Sequence, residues 1–125
     1  MTDIENNADI ARTVLSMFQS WGISPKDQIK LLGLPSDSRS RILTKYRNGF
    51  PLPDDEEFAM RVALLFAIQN AISSLFPHNA KAADYWITTP FDFFVNHTPL
   101  QIMLNEGLGG MRRVLNYLNG VEDWS

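Results

Sequence analysis

At 125 residues, with 45% apolar and 20% charged side chains, the chain has the size and composition of a folded domain, which excludes a disordered or collagen-like polymer. Cysteine is absent, so disulfides and thiolate metal sites are excluded; His78 and His97 stand 19 positions apart with no acidic partner at fixed spacing, so no metal is expected. The net charge of −3 hides an uneven distribution: residues 26–50 carry six basic and two acidic side chains, against one and three in 1–25 and four and nine in 51–125. A basic segment of this kind acts locally, because phosphate attraction is screened over about 8–10 Å. The longest uninterrupted apolar run, 62–68, has seven residues, against about 20 for a membrane span. No membrane helix is therefore expected. Residues 1–10 hold three acids and no basic residue, unlike a secretory signal, and a cytoplasmic location is the default expectation.

The first helix is predicted over 7–21, where Ile10, Val14, Phe18 and Trp21 recur at helical steps and Gly22 follows as a stop. Ser24 and Pro25 suit the N-cap and first position of a second, short helix. Ile29 and Leu32 form its core face and Gly33 ends it. Ser36 or Asp37 is expected to cap a third helix running to Asn48, with Gly49 as its stop. Two short helices joined through a glycine match the helix-turn-helix pattern. On the third helix Ile42, Leu43 and Tyr46 share one side, and the polar side chains lie opposite. Arg reads guanine, Asn reads adenine, and Ser or Thr reaches phosphate or either base type. Ser40, Arg41, Thr44, Lys45, Arg47 and Asn48 are therefore the candidate DNA-binding residues, although any solvated helix face has a similar composition.

After the stiff break Phe50-Pro51-Leu52-Pro53, Asp54 or Asp55 is expected to cap a long helix reaching about residue 76. It is apolar almost all round, so it reads as a central pillar buried on most sides. Pro77 ends it. A short helix is predicted over 80–86, broken by Thr88-Thr89-Pro90, and Phe91, Phe93 and Phe94 form an aromatic cluster. Thr98 as N-cap and Pro99 open the next helix, which Gly107, Gly109 and Gly110 are expected to stop; a last helix over 111–119 ends at Gly120. No strand pattern occurs. The expected fold is all-α with about seven helices: a helix-turn-helix region on a long central helix over 1–77, and a smaller helical domain over 78–125.

Several of these residues carry a resemblance. Trp86-Ile-Thr-Thr-Pro90, Thr98-Pro99-Leu100-Gln-Ile-Met103-Leu104, Gly107-Leu-Gly-Gly110, Val114, Leu118 and Gly120 resemble the toxin-binding domain of the Xre/MbcA/ParS antitoxins. Leu31-Leu32-Gly33, Tyr46-Arg47-Asn48-Gly49, Leu52-Pro53 and Leu75-Phe76-Pro77 are similar to the Xre-like helix-turn-helix region of the same proteins. The resemblance runs over about residues 10–120. It implies an antitoxin of a type II toxin–antitoxin pair, a homodimer whose partner is a RES-domain, NAD-consuming toxin. The C-terminal domain would cover the toxin's active-site entrance and the N-terminal one would bind operator DNA and repress the operon. Two departures stand out. The family's glycine pair before "T-P-L" is replaced by Val95 and Asn96, so a different loop path is to be expected, since Val does not tolerate left-handed backbone. Phe91 stands where Asn is usual.

The candidate toxin-binding residues are Met103, Gly107, Leu108, Gly110, Met111, Arg112, Arg113 and Trp124. The glycines would allow close backbone approach, the arginines would meet an acidic or phosphate-binding rim, and Trp124 would anchor the tail. Trp86 reads more simply as a core aromatic, and Met103 and Leu108 also have a core reading. No Ser–His–acid order, HExxH or phosphate-binding loop occurs, and Glu56-Glu57 are first-turn acids. No catalytic residue, metal or cofactor is expected, and the chain does not read as an enzyme. The alternative reading is a free-standing helix-turn-helix regulator with a protein-binding C-terminal domain.

Overall fold

The computed structural model describes the backbone of residues 3–124 and the side chains of residues 8–120. Seven α-helices follow in order: α1 (Asp3–Ser20), α2 (Pro25–Leu31), α3 (Arg41–Arg47), α4 (Glu56–Leu75), α5 (Ala80–Trp86), α6 (Pro99–Glu106) and α7 (Leu108–Trp124). A single 3-10 turn, Asp92–Phe94, stands between α5 and α6, and no strand occurs among the described residues. The fold is all-α, as the lack of period-two alternation requires. The backbone forms two compact units, Met1–Val62 and Ala63–Ser125, and the division falls inside α4.

In the first unit α1 buries Ala11, Val14, Leu15 and Phe18 and packs on α3, whose buried residues are Leu43 and Tyr46. It starts four residues earlier than the apolar periodicity indicated. Helix α2 opens as expected: Pro25 is its first residue and Ser24 Oγ accepts from the Asp27 backbone N–H at 3.3 Å. Gly33 then takes φ +72°, and a Cβ there would lie 2.6 Å from Arg61 Nε. The Arg61 guanidinium reaches from α4 and donates Nη1–H to the Leu31 carbonyl at 3.2 Å, satisfying one of the open carbonyls at the end of α2.

The third helix is shorter than predicted. Neither Ser36 nor Asp37 caps it, because residues 35–38 form a turn closed by Ser38 N–H donating to the Pro35 carbonyl at 2.9 Å. Helix α3 begins at Arg41, and Ser40 occupies the N-cap position without a side-chain bond. The link between α2 and α3 is correspondingly longer than the sequence pattern indicated.

Asp55 caps α4, its Oδ2 accepting from Phe58 N–H at 3.1 Å. The pillar expectation needs correction. Phe58, Val62, Leu65, Ile68 and Ile72 are buried and make one helical stripe, whereas Ala59, Met60 and Ala63 are exposed and Leu64, Phe66, Ala67 and Ala71 half-buried. The membrane exclusion also needs correction. Helix α4 has 20 residues and a window of mean hydropathy 1.5, so by length and composition it is long and apolar enough to cross a membrane. Arg61, Gln69 and Asn70 interrupt the apolar run without lowering its average enough to matter.

In the second unit Asn79 Oδ1 accepts from Ala82 N–H at 3.0 Å and starts α5. Thr98 and Gln101 form a reciprocal capping box at α6: Thr98 Oγ1 accepts from Gln101 N–H at 3.0 Å, and Gln101 Oε1 accepts from Thr98 N–H at 2.8 Å. Helices α6 and α7 form the main packed pair of this unit; Ile102, Met103, Met111, Val114 and Leu118 are buried. Only Gly107, at φ 63°, stops α6. Gly109, Gly110 and Gly120 lie within α7, where a stop and a turn were expected. At Gly110 the reason is packing: a Cβ would collide with the Ile102 carbonyl oxygen and lie 3.0 Å from Glu106 Cβ.

Candidate functional site

The second unit builds its surface around Tyr117. The Tyr117 ring centre lies 4.5 Å from that of Phe93, 5.3 Å from Phe94, 6.3 Å from Trp86 and 6.5 Å from Phe91. Trp86 and Phe91 lie 5.2 Å apart. Such pairs contribute about 0.5–1.5 kcal/mol each beyond area burial, so the rings support one another as one aromatic wall. Trp86 is buried, in line with its core reading.

The loop from Phe91 to His97 closes on itself. Phe91 N–H donates to the His97 carbonyl, Asn96 N–H to the Phe91 carbonyl, Val95 N–H to the Asp92 carbonyl and His97 N–H to the Phe94 carbonyl, all at 2.9–3.2 Å. His97 Nδ1 lies 3.1 Å from the Phe94 and Val95 carbonyls, so it carries the proton when it bonds either one. Val95 and Asn96 both adopt left-handed backbone, φ 55° and 64°. The departure expected from their side chains is thus absent: the loop takes the conformation suited to a glycine pair, and the backbone bonds hold Val95 there against its preference. Val95 is 74% exposed and Phe93 58%.

Beside this loop a groove of about 560 Å³ runs along α7. Phe93 and Tyr117 form its apolar side. Gly109, Asn116 and Gly120 lie along it, and Arg112 and Arg113 are at its edge. Arg113 is held in place: Nη1 donates to Glu106 Oε2 at 2.9 Å, and its guanidinium sits 5.5 Å from the Phe94 ring centre.

The predicted toxin-facing set divides on this geometry. Arg112 and Arg113 border the groove, and Gly107 and Leu108 are half-buried at the junction of α6 and α7. Met103 and Met111, 1% and 0% exposed, and the buried Gly110 belong to the α6–α7 core, so they lie beneath the surface and shape it. The side chain of Trp124 lies outside the described residues. Phe93, Asn116, Tyr117, Gly109 and Gly120 were not in that set. The signal for Tyr117 was available in its position three residues after Val114, which turns it toward the aromatic loop rather than to solvent.

In the first unit Arg41, Thr44, Lys45 and Arg47 are exposed on α3, with Ser40 and Asn48 exposed at its two ends. Lys45 Nζ lies 5.7 Å from the Phe50 ring centre. Two clefts flank the helix. One of about 210 Å³ is bordered by Ser38, Arg39, Arg41, Ile42 and Lys45. The other, about 350 Å³, includes Gln28, Ser40, Arg41, Thr44 and Arg47. On the opposite, buried side, Tyr46 has its phenol pushed above the usual 10.0 by burial. Among the described residues, no three His, Asp or Glu side chains gather to hold a metal ion.

Over 99 residues the chain is 36% identical to the uncharacterized protein y4oB of Sinorhizobium fredii (strain NBRC 101917 / NGR234), an alignment that spans 79% of this chain and 73% of that protein. Residues 73–123 match the family model of the antitoxin Xre/MbcA/ParS C-terminal toxin-binding domain. The chain belongs to one family with y4oB, and its residues 73–123 carry the Xre/MbcA/ParS toxin-binding domain. The matched span takes in the end of α4, the aromatic cluster, the 91–97 loop, the α6–α7 pair and the groove. The toxin-binding domain implies a protein toxin as partner, and the groove and loop lie within it.

Proposed function

We propose that this antitoxin neutralises a RES-type, NAD-consuming toxin by occluding its active-site mouth with the surface formed by Phe93, Val95, Tyr117, Arg112 and Arg113, and that it represses its own operon by placing α3 on operator DNA. The two activities divide the chain near residue 77. The observation that carries the first part is the pair of glycines along the groove. A glycine inside a helix costs about 1 kcal/mol relative to alanine. Gly110 has an internal reason, but an added Cβ at Gly109 or Gly120 meets nothing within 4 Å. Two costly residues without an internal role border one groove, and a partner's backbone approaching closely there accounts for both. The exposed Phe93 and Val95 add apolar area, and the arginines suit an acidic or phosphate-binding rim.

The second part rests on the exposed basic face of α3 within the one basic segment of an acidic chain. A two-fold operator calls for two copies, and the exposed apolar residues Ala59 and Ala63 of α4 suit a homodimer. The deciding experiment is co-expression with the toxin. Wild type rescues growth and co-purifies with it; Phe93→Ala with Gly109→Leu keeps the helical signal but loses both. Full rescue by a correctly folded double variant overturns this assignment of the toxin-binding surface.

A further inference from the structure

The larger cleft beside α3 has a feature that a solvated helix face does not need. Gln28, on α2, is only 7% exposed. Its Nε2 donates to the Ile23 carbonyl at 2.9 Å. That bond fixes the amide, because a carbonyl only accepts, so Oε1 must point the other way. Oε1 is buried and has no hydrogen-bond partner. An orphaned buried acceptor gives up its water without a replacement bond, and native interiors hold few of them. Gln28 shares its cleft with Ser40, Arg41, Thr44 and Arg47, all of them donors. Arg47 borders this cleft alone, whereas Arg41 also borders the smaller one.

We infer that Gln28 is a positioning residue for DNA binding: its Oε1, unpartnered in this structure, is the acceptor that the Arg47 guanidinium takes up across the shared cleft, which fixes that cation to meet a backbone phosphate. The inference rests on the DNA-binding reading of α3. Guanidinium has five donors in a planar fork, so one N–H can bond Oε1 while others face a phosphate. Free in solvent, Arg47 would lose side-chain freedom on reaching DNA; held by Gln28, it loses less. The pairing also explains the amide's burial: a glutamine reading a base edge directly would have to be exposed, and this one has already committed its Nε2.

The test is binding of the full chain to a labelled mixed-sequence DNA duplex at several salt concentrations, for wild type, Gln28→Met, Arg47→Ala, Arg41→Ala and the paired variants, with thermal unfolding of each as a check on folding. A merely structural role for Gln28 leaves the salt dependence unchanged. Positioning predicts that Gln28→Met weakens binding about tenfold at low salt and makes the slope of log affinity against log salt shallower by about 0.9, the loss of one phosphate contact. It also predicts that Gln28→Met adds little to Arg47→Ala but adds fully to Arg41→Ala. An unchanged slope, or full additivity with Arg47→Ala, overturns the inference while leaving DNA binding intact. Wild type that fails to bind DNA at low salt overturns the DNA reading and the inference with it.

Discussion

Gly110→Ala tests the α6–α7 interface and, through its neighbours, the groove. The new Cβ collides with the Ile102 carbonyl oxygen and sits 3.0 Å from the Ile102 carbonyl carbon and Glu106 Cβ. The obstruction is backbone, so relief requires α6 and α7 to move apart, loosening the interface in which Met103, Met111 and Val114 are buried. Overpacking of this kind costs about 1–3 kcal/mol, and the better helix propensity of alanine returns up to about 1 kcal/mol. A net loss of about 1–2 kcal/mol is expected, or roughly 4–8 °C of melting temperature per kcal/mol in a small domain. The same change at Gly120 meets open space and is expected to stabilise by up to about 1 kcal/mol. At Gly109, in the first turn of α7, the gain is expected to be about half that. Urea unfolding with unchanged slope reads all three. Gly110→Ala as stable as wild type would refute the close approach of the helices, and destabilisation by Gly120→Ala would refute the open face from which the glycine argument for toxin binding starts.

Val95→Gly is expected to stabilise by roughly 0.5–1 kcal/mol. It relieves a left-handed penalty of about 1–2 kcal/mol against a glycine entropy cost of about 0.5–1 kcal/mol, and a thermal melt lower than wild type would count against it. Gly33→Ala is expected to destabilise by about 1–3 kcal/mol through its positive φ and the displacement of Arg61, read by urea midpoint; an unchanged midpoint would show that Arg61 does not seal α2. Burial raises the Tyr46 phenol above its unfolded value, so its contribution is complete below about pH 10 and is lost as pH climbs through the raised value. Tyr46→Phe is therefore expected to flatten the alkaline fall in stability, and an identical alkaline limb in the two proteins would remove Tyr46 as its source.

Local chemistry carried much of the fold into the sequence. Ser24-Pro25 and Thr98-Pro99 each show an N-cap and a first helical residue in adjacent letters, and both helices open there. The end of α5 was equally plain from the break at Thr88-Thr89-Pro90, whereas its cap by Asn79 shows only in the structure. What failed depends on distant partners. Gly107, Gly109 and Gly110 look alike as letters; only the position of the Ile102 carbonyl makes one a packing residue, and only the backbone angles make another the stop. The turn at 35–38 overrode two good capping residues. At the candidate site Arg112 and Arg113 were legible as cations beside glycines, whereas Tyr117 becomes the centre of a cluster because residues 23 to 31 positions earlier fold back onto it. The amide orientation of Gln28 was not legible at all, since it follows from one carbonyl five residues upstream.

The closed loop at 91–97 has a kinetic consequence. The N–H groups of Phe91, Phe94, Val95, Asn96 and His97 all bond carbonyls within the loop, so Phe93 and Val95 stand outward on a frame held by its own backbone. A partner meeting that frame orders little backbone of this chain, and the entropy normally surrendered on association is reduced. Association should then be governed by encounter and orientation, with variation at the loop tip expressed in how long the complex lasts rather than how fast it forms. The left-handed strain at Val95 is the other side of this economy: energy held permanently in the free chain keeps the exposed loop tip in place before any partner arrives.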